Sequence, residues 1–467
     1  MLTGPSSAPN GAVTVPAGNN ASLTLNSPNK TYWFAPGTHT LGTGEYSQII
    51  PSDGDTYIGG PGAIISGQGL NDFAFTQMAT NITIEYLTIE DFGQNSSILN
   101  QNEGVVNQGS ASNWTIKYNT IQDNEGAGVM LGSNDVVEYN CLTENGQYGF
   151  SSYLPNPGPS NITLSYNEIS YNDTYNWEVK DPGCGCSGGG KFWETNGATV
   201  VSNYVHNNAN VGIWADTDNR GFNISGNYIS NNFAEGLMYE ISYNANISDN
   251  TFIRNALGEG PHNPGFPTGA IYISESGSAN TVPGPYNTSF NITGNVFDDN
   301  WSGVVLWENS NRFCGPDSPD NAGSLCTLVA PGTATSTTCV TPGIDTAPLI
   351  TDCRWHTQNV SVTDNQFDFE PGDIGSNCTQ ANGCGFNGIF SEYGTTAPYT
   401  AWMVPRNIAD NQNNHFSDNT YTGPWSFMGP DQGVSATWSQ WTNGYTDNAD
   451  GSGIYFDPQD AGSTFHS

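Results

Sequence analysis

The sequence predicts an all-β solenoid, a stack of short β-coils interrupted by long loop insertions. Three observations lead there. A six-residue motif (Asn, any residue, apolar, two of any kind, Asn) recurs along the chain. Where copies follow directly they are spaced 119→140 (21), 140→167 (27), 203→227 (24) and 227→250 (23), the length of one β-coil. The segments between them lack the long 3.6-residue apolar period of a helical repeat and are rich in Asn and Gly.

In chain order the copies are Asn119–Asn124, Asn140–Asn145, Asn167–Asn172, Asn203–Asn208, Asn227–Asn232, Asn250–Asn255 and Asn295–Asn300, then a weaker one at Asn365 and a late one at Asn414–Asn419. The run from Asn81 to Ile89 is an early strand of the same type. Asn tolerates the left-handed conformation and bonds local backbone, so each motif marks two coil corners. Stacked corners predict asparagine ladders about 4.8 Å per step, with the apolar residue between them pointing into a continuous core. The longer gaps 167→203, 250→295 and 295→365 carry Gly-, Pro- or Cys-rich insertions. The organisation expected is an N-terminal strand and cap segment over 1–50, the solenoid over 51–425, and a tail over 426–467 that caps or packs on it. Many copies contain Asn-x-Ser/Thr, as at Asn81, Asn113 and Asn161. The repeat's own need for Asn at a turn explains these better than glycan acceptors do.

Composition narrows the partners. The 467 residues hold 9 Lys and Arg against 44 Asp and Glu, a net charge of −35, yet only 11% of residues are charged. With 12% aromatics the chain is not a disordered acidic one. Nucleic acid and anionic membrane surfaces need a basic stripe, so both are poor partners. No segment reaches the ~20 apolar residues of a membrane span. Six of the nine cysteines fall between Cys314 and Cys384 in a loop-rich stretch, which reads as disulfides and a secreted, oxidising location. Cys141, inside a repeat, reads as a buried free thiol. Cys184 and Cys186 sit too close in sequence to bridge comfortably to each other and are expected to have other partners. A zinc site is the weaker reading of the cysteines, since no CxxC pair accompanies them.

The repeats resemble those of the right-handed parallel β-helix, or pectin-lyase-like, superfamily, in particular NosD-like and other parallel β-helix repeat proteins, over roughly residues 50 to 420. The resemblance implies a right-handed parallel β-helix and a choice among polysaccharide lyases, glycoside hydrolases, epimerases, tailspikes and non-catalytic proteins. It implies no site residues. The paired-Asp plus Gly-His-Gly pattern of polygalacturonases and the Trp-Ile-Asp-His pattern of pectate lyases are both missing.

Chemistry is sought in a second column. Four residues after a glycine stand Glu194 (from Gly190), Asp216 (from Gly212) and Glu240 (from Gly236); the near matches Tyr272 with Glu275 and Trp307 with Glu308 lie further on. Strand alternation places Trp214 and Asp216 outward if Ile213 and Ala215 face in, Met238 and Glu240 outward if Leu237 faces in, and Phe192 with Glu194 outward one coil earlier. Trp193 and Tyr239 are expected inward. The reading is three stacked carboxylates, neighbours about 5 Å apart and the outer two about 10 Å, beside a flat apolar column of Phe192, Trp214 and Met238. Two carboxyls at about 5–5.5 Å suit a retaining glycosidase and at about 6.5–9.5 Å an inverting one. Two like charges 5 Å apart repel by about 3 kcal/mol at an effective dielectric of 20, which favours a shared proton. The same residues also read as solvated acidic surface, or as ligands for Ca²⁺, which takes 6–8 oxygens. No cofactor is required by the sequence; Ca²⁺ is an option, and no metal-ligand set is assigned.

Few cations are available for proton abstraction. Lys191, beside the acid column, is the best base for a polysaccharide lyase, with His206 behind it; Arg220 and Asp218 follow Asp216 and, with Trp307, are candidate substrate contacts. Lys191 reads equally as the ion-pair partner of Glu194 or Asp216. The expectation is a secreted enzyme cleaving glycosidic bonds of a polysaccharide, by hydrolysis at Glu194, Asp216 and Glu240. A Ca²⁺-assisted polyuronate lyase is the first alternative, disfavoured by the negative charge; a non-catalytic glycan-binding or structural β-helix is the second.

Overall fold

The computed structural model describes residues 3–93, 104–154, 157–182, 184–263, 266–278, 289–309, 357–392, 412–428, 435–447 and 454–467. The chain forms two compact units, Met1–Trp214 with Asn227–Asn232, and Ala215–Gly226 with Phe233–Ser467. Each is a parallel β-helix, in which the chain visits three sheets in turn and then repeats one rung higher.

In the first unit, sheet one runs from Val13–Val15 to Asn196–Val201, and sheet two from Gly18–Asn19 to Tyr228–Ser230. Sheet three contains Val129–Met130, Tyr148–Ser152 and Gly188–Trp193. Parallel pairing begins at Val13, opposite Tyr32. In the second unit, sheet one runs from Arg220–Ser225 to His415–Ser417 and sheet two from Thr251–Ile253 to Thr464–His466. Sheet three contains Leu237–Glu240, Ile271–Ser274, Val304–Asn309, Phe386–Glu392 and Ser426–Met428. Each motif residue advances one rung without slip, as in Ile121↔Leu142↔Ile169↔Val205↔Ile229, all fully buried.

The predicted ladders are present. Each amide donates to the next: Asn119 to Asn140, Asn140 to Asn167, Asn167 to Asn203 and Asn203 to Asn227, at 3.1, 3.0, 3.1 and 3.0 Å. A second ladder links Asn124, Asn145, Asn172, Asn208 and Asn232. In the second unit Asn250, Asn295, Asn365 and Asn419 repeat the device and end on Asp460. Inside this ladder the rings of Phe252, Phe297, Phe367 and Tyr421 stack at 5.2, 4.5 and 4.9 Å. The tail packs on the last coils: the helix Trp438–Asn443, started by a Thr437/Gln440 capping box, lays Trp441 on Phe427. Asp460 there accepts from the Trp441 indole and the Tyr421 hydroxyl. Of the Asn-x-Ser/Thr asparagines, Asn81, Asn113, Asn161 and Asn359 sit at left-handed corners, whereas Asn223, Asn246 and Asn291 lie inside sheet-one strands, so the turn reading accounts for only part of them.

The cysteines differ from the sequence reading. Cys184 and Cys186 do bridge each other, because the left-handed Gly185 (φ 56°) turns the chain back and brings their Cα atoms to 5.2 Å. Cys378 pairs with Cys384. Cys141 is a free thiol, but half-buried on the outer face of sheet two; burial, with Glu168 and Glu144 nearby, pushes it up to about 11. Cys314, Cys326, Cys339 and Cys353 lie outside the described residues.

Candidate functional site

The glycine column has a steric cause, and that cause corrects the register. A Cβ on Gly149, Gly189 or Gly236 would meet the ladder amides of Asn172 (2.9 Å), Asn208 (2.9 Å) or Asn255 (3.1 Å). Gly189, not Gly190, therefore belongs with Gly236; it pairs with Gly149 below it, and its N–H bonds the carbonyl of Val211, which aligns it with Gly212. Counted from these glycines, Asp216 and Glu240 are the fourth residues and the equivalent position one coil earlier is Trp193. Glu194 is a fifth residue. Like its equivalents Thr217 and Ile241 it occupies a left-handed corner, at φ 50°, 48° and 45°. The expected column of three carboxylates is a pair, Asp216 and Glu240.

The same slip reverses two orientations. Phe192 is fully buried and packs on Phe150 in the core, so it is not an outward platform. Trp193, expected inward, faces out beside Tyr153 and donates to Glu194 Oε1. The remaining alternation holds: Ile213, Ala215, Leu237 and Tyr239 are core, while Trp214 and Met238 are partly exposed on the outer face.

In the first unit Lys191 takes the outward place intended for Phe192. Its ammonium stands 4.0 Å above the Trp214 ring and donates to the Gly185 carbonyl inside the Cys184–Cys186 loop. Both contacts use its charge and its N–H groups. His206 lies on another face altogether, the outside of sheet two. It is buried there, with Nε2 3.2 Å from Glu168 Oε1, Nδ1 2.8 Å from Asn207 Oδ1 and the Tyr204 ring stacked at 3.8 Å. It does not back up Lys191.

In the second unit the Thr217 N–H bonds the Glu240 carbonyl at 3.1 Å and the Asp218 N–H that of Ile241 at 2.8 Å. This parallel pattern sets Asp216 opposite Glu240, one strand spacing of about 4.8 Å apart. Both are buried, at 7% and 3% exposure, although they alternate away from the core. The Thr217 hydroxyl donates to Asp216 Oδ1 at 2.9 Å. The register continues Glu240↔Ser274↔Trp307 and Met238↔Tyr272↔Val305. Trp307 and Tyr272 form an outer apolar floor with Val305, Phe386 and Met428, and Phe266 folds edge-on over both rings at 5.5 and 5.6 Å. Glu275 is a left-handed corner residue after Ile271–Ser274 and Glu308 lies within Val304–Asn309; both are buried, and the Thr357 N–H caps Glu308. Asp218 is at the following left-handed corner, and Arg220 begins sheet one, opposite Tyr243. Among the described residues, no group of three or more His, Cys, Asp or Glu is placed to hold a metal ion.

Several buried carboxyls escaped the sequence reading, Asp135, Asp173 and Glu235 among them. Glu235 directly precedes the ladder glycine Gly236, where other coils carry Ala127, Tyr148 or Val211; that exception was the available signal. It is 9% exposed, beside a loop pressed onto the rings of Phe233 and Trp301 at Gly258 and Gly260. Burial, aided by Glu259, pushes its carboxyl up to about 7 from 4.5. The native state therefore holds this proton more tightly than the unfolded chain, and stability falls as pH rises between about 4.5 and 7. Glu235→Gln is expected to leave stability at pH 4 unchanged and to raise it at pH 8 by on the order of 3 kcal/mol. Denaturant unfolding at the two pH values checks this.

Residues 103–285 match the family described as right handed beta helix region, in agreement with the right hand that the resemblance implied. None of the curated proteins matches the chain. Several solved structures are similar to it. Among them are the A-module of the Azotobacter vinelandii mannuronan C-5 epimerase AlgE4 (13% identity, 76% of this chain and 86% of that one, TM-score 0.39), XylC in complex with xylose (9%, 85% and 51%, 0.36), and PfbA, a surface adhesin of Streptococcus pneumoniae (10%, 93% and 92%, 0.37). The chain spans about half the length of the XylC structure. Likeness at this level carries no reading of chemistry, which rests on the residues above.

Proposed function

We propose that the chain is a carbohydrate-active enzyme that hydrolyses glycosidic bonds of a polysaccharide, with Asp216 and Glu240 as its carboxyl pair. The observation that carries this reading is the register: the two acids occupy the same outward position on adjacent coils, a separation of the order a retaining glycosidase uses. The Thr217 hydroxyl orients Asp216 as nucleophile. Its carboxylate attacks the anomeric carbon as the glycosidic C–O bond breaks, and the leaving oxygen takes the Glu240 proton. Water then attacks the glycosyl ester, returns a proton to Glu240 and frees Asp216. In the same unit the partly exposed Phe266 and Met238, packed on the buried Trp307 and Tyr272 rings, supply an apolar surface for a sugar ring. A polyuronate lyase using Lys191 is the weaker reading. Its ammonium is engaged by Trp214 and Gly185, and the net charge of −35 repels a polyanion.

The test is a polysaccharide panel, with and without Ca²⁺, scored for reducing ends and for the ultraviolet absorbance of unsaturated ends. Reducing ends without absorbance are expected. Both rising together would make the enzyme a lyase; silence across the panel would favour a binding or structural solenoid.

A further inference from the structure

The first unit exposes tyrosine rings in one place. Tyr86, Tyr118, Tyr139 and Tyr166 stack along the corner that enters sheet two, at 5.1, 5.3 and 4.9 Å. On the outer face of that sheet, Tyr204 and Tyr228 follow Glu168 in register, their rings 5.4 Å apart, and Tyr171 stands at the corner that leaves it. Tyr166, Tyr171, Tyr204 and Tyr228 are between 43% and 51% exposed. The buried His206 is their pedestal: Tyr204 stacks on it, Tyr171 meets it edge-on at 5.6 Å, and Glu168 and Asn207 flank its two nitrogens. A packed, hydrogen-bonded support of this kind holds the rings in place instead of letting them fold into the surface.

We infer that this face is a docking surface for a neutral polysaccharide chain, separate from the carboxyl pair. Three features fix the ligand class. The exposed rings are all tyrosine, which offers a flat apolar face and a hydroxyl, where a protein-binding patch would add aliphatic groups. The column Glu168–Tyr204–Tyr228 lies over the buried Ser170, His206 and Ser230, and its Glu168 side chain is 48% exposed, so a pyranose ring stacked on the two tyrosines has a carboxylate beside it to accept from its hydroxyls. The outward positions of this sheet in these coils carry Glu168 and no Lys or Arg, which complements an uncharged chain and repels nucleic acid or anionic lipid. The choice of a glycan rests on the polysaccharide reading; the surface does not depend on cleavage.

The experiment is a depletion assay of the whole chain on regenerated cellulose, insoluble xylan and insoluble mannan, with sedimentation velocity of the same samples. The native chain is expected to be retained on at least one polymer, and Tyr204→Ala/Tyr228→Ala to lose at least tenfold in partition at an unchanged melting temperature. The single variant Tyr228→Ala, which leaves the His206 stack intact, should lose several-fold. Asp216→Asn should bind like the native chain whether or not the protein proves to cleave anything, which separates this inference from the hydrolase reading. Native-level retention of the double variant would overturn it, as would no retention on any of the three. So would a concentration-dependent dimer abolished by the tyrosine changes, because that would give the face to a second copy.

Discussion

Asp216→Asn and Glu240→Gln are each expected to lower kcat by at least about 10³-fold on a cleaved polysaccharide, with KM changed little. The amides keep size and shape but cannot attack an anomeric carbon or pass a proton, and these roles are worth roughly 10²–10⁴-fold or more each. Neither change should unfold the protein, because an amide is easier to bury than a carboxylate. Equal melting temperatures with lost turnover would place the effect in chemistry. Glu194→Gln separates the corrected register from the uncorrected one: a corner residue of the first unit should retain most of its activity. Loss of turnover as deep as in Glu240→Gln would restore Glu194 to the machinery.

The second large effect is on stability. Asn167→Ala is expected to cost about 4 kcal/mol, within the range that breaking a buried polar network reaches. The Asn167 amide makes four bonds inside the first unit. Nδ2 donates to Asn203 Oδ1 and to the Val137 carbonyl, and Oδ1 accepts from the backbone and side chain of Asn140. Each is worth about 1 kcal/mol net, and stranding a buried partner adds 1–3 kcal/mol. Asn167→Asp should not rescue, since a carboxylate donates to neither Asn203 nor Val137. Urea unfolding checks both; a loss below 1 kcal/mol would mean that the ladder follows the fold without holding it together.

The fold was legible because its cause is local and periodic. Asn at both ends of a short strand can satisfy its amide only by stacking, so the motif spacing carried the coil length, the ladders and the core positions together. The site was legible only in part. Gly189 and Gly190 are adjacent, and sequence alone offers no means of telling which one faces the ladder amide; the wrong choice reversed Phe192 and Trp193 and counted the corner residue Glu194 into the column. Asp216 and Glu240 survived because Gly212 and Gly236 have no glycine neighbour. The Cys184–Cys186 bridge depends on a left-handed Gly185, a conformation that spacing does not reveal. Separating His206 from Lys191 required knowing that the two strands belong to different sheets. The raised Glu235 carboxyl comes from the loop folded against it, which no coil pattern encodes.

The most direct test of the central claim is one digest series, with the native chain, Asp216→Asn and Glu240→Gln side by side on the same polysaccharide, read for reducing ends and for unsaturated ends. Reducing ends are expected from the native chain alone, and unsaturated ends from none of the three. Unsaturated ends, or either variant cleaving at the native rate, would contradict the claim.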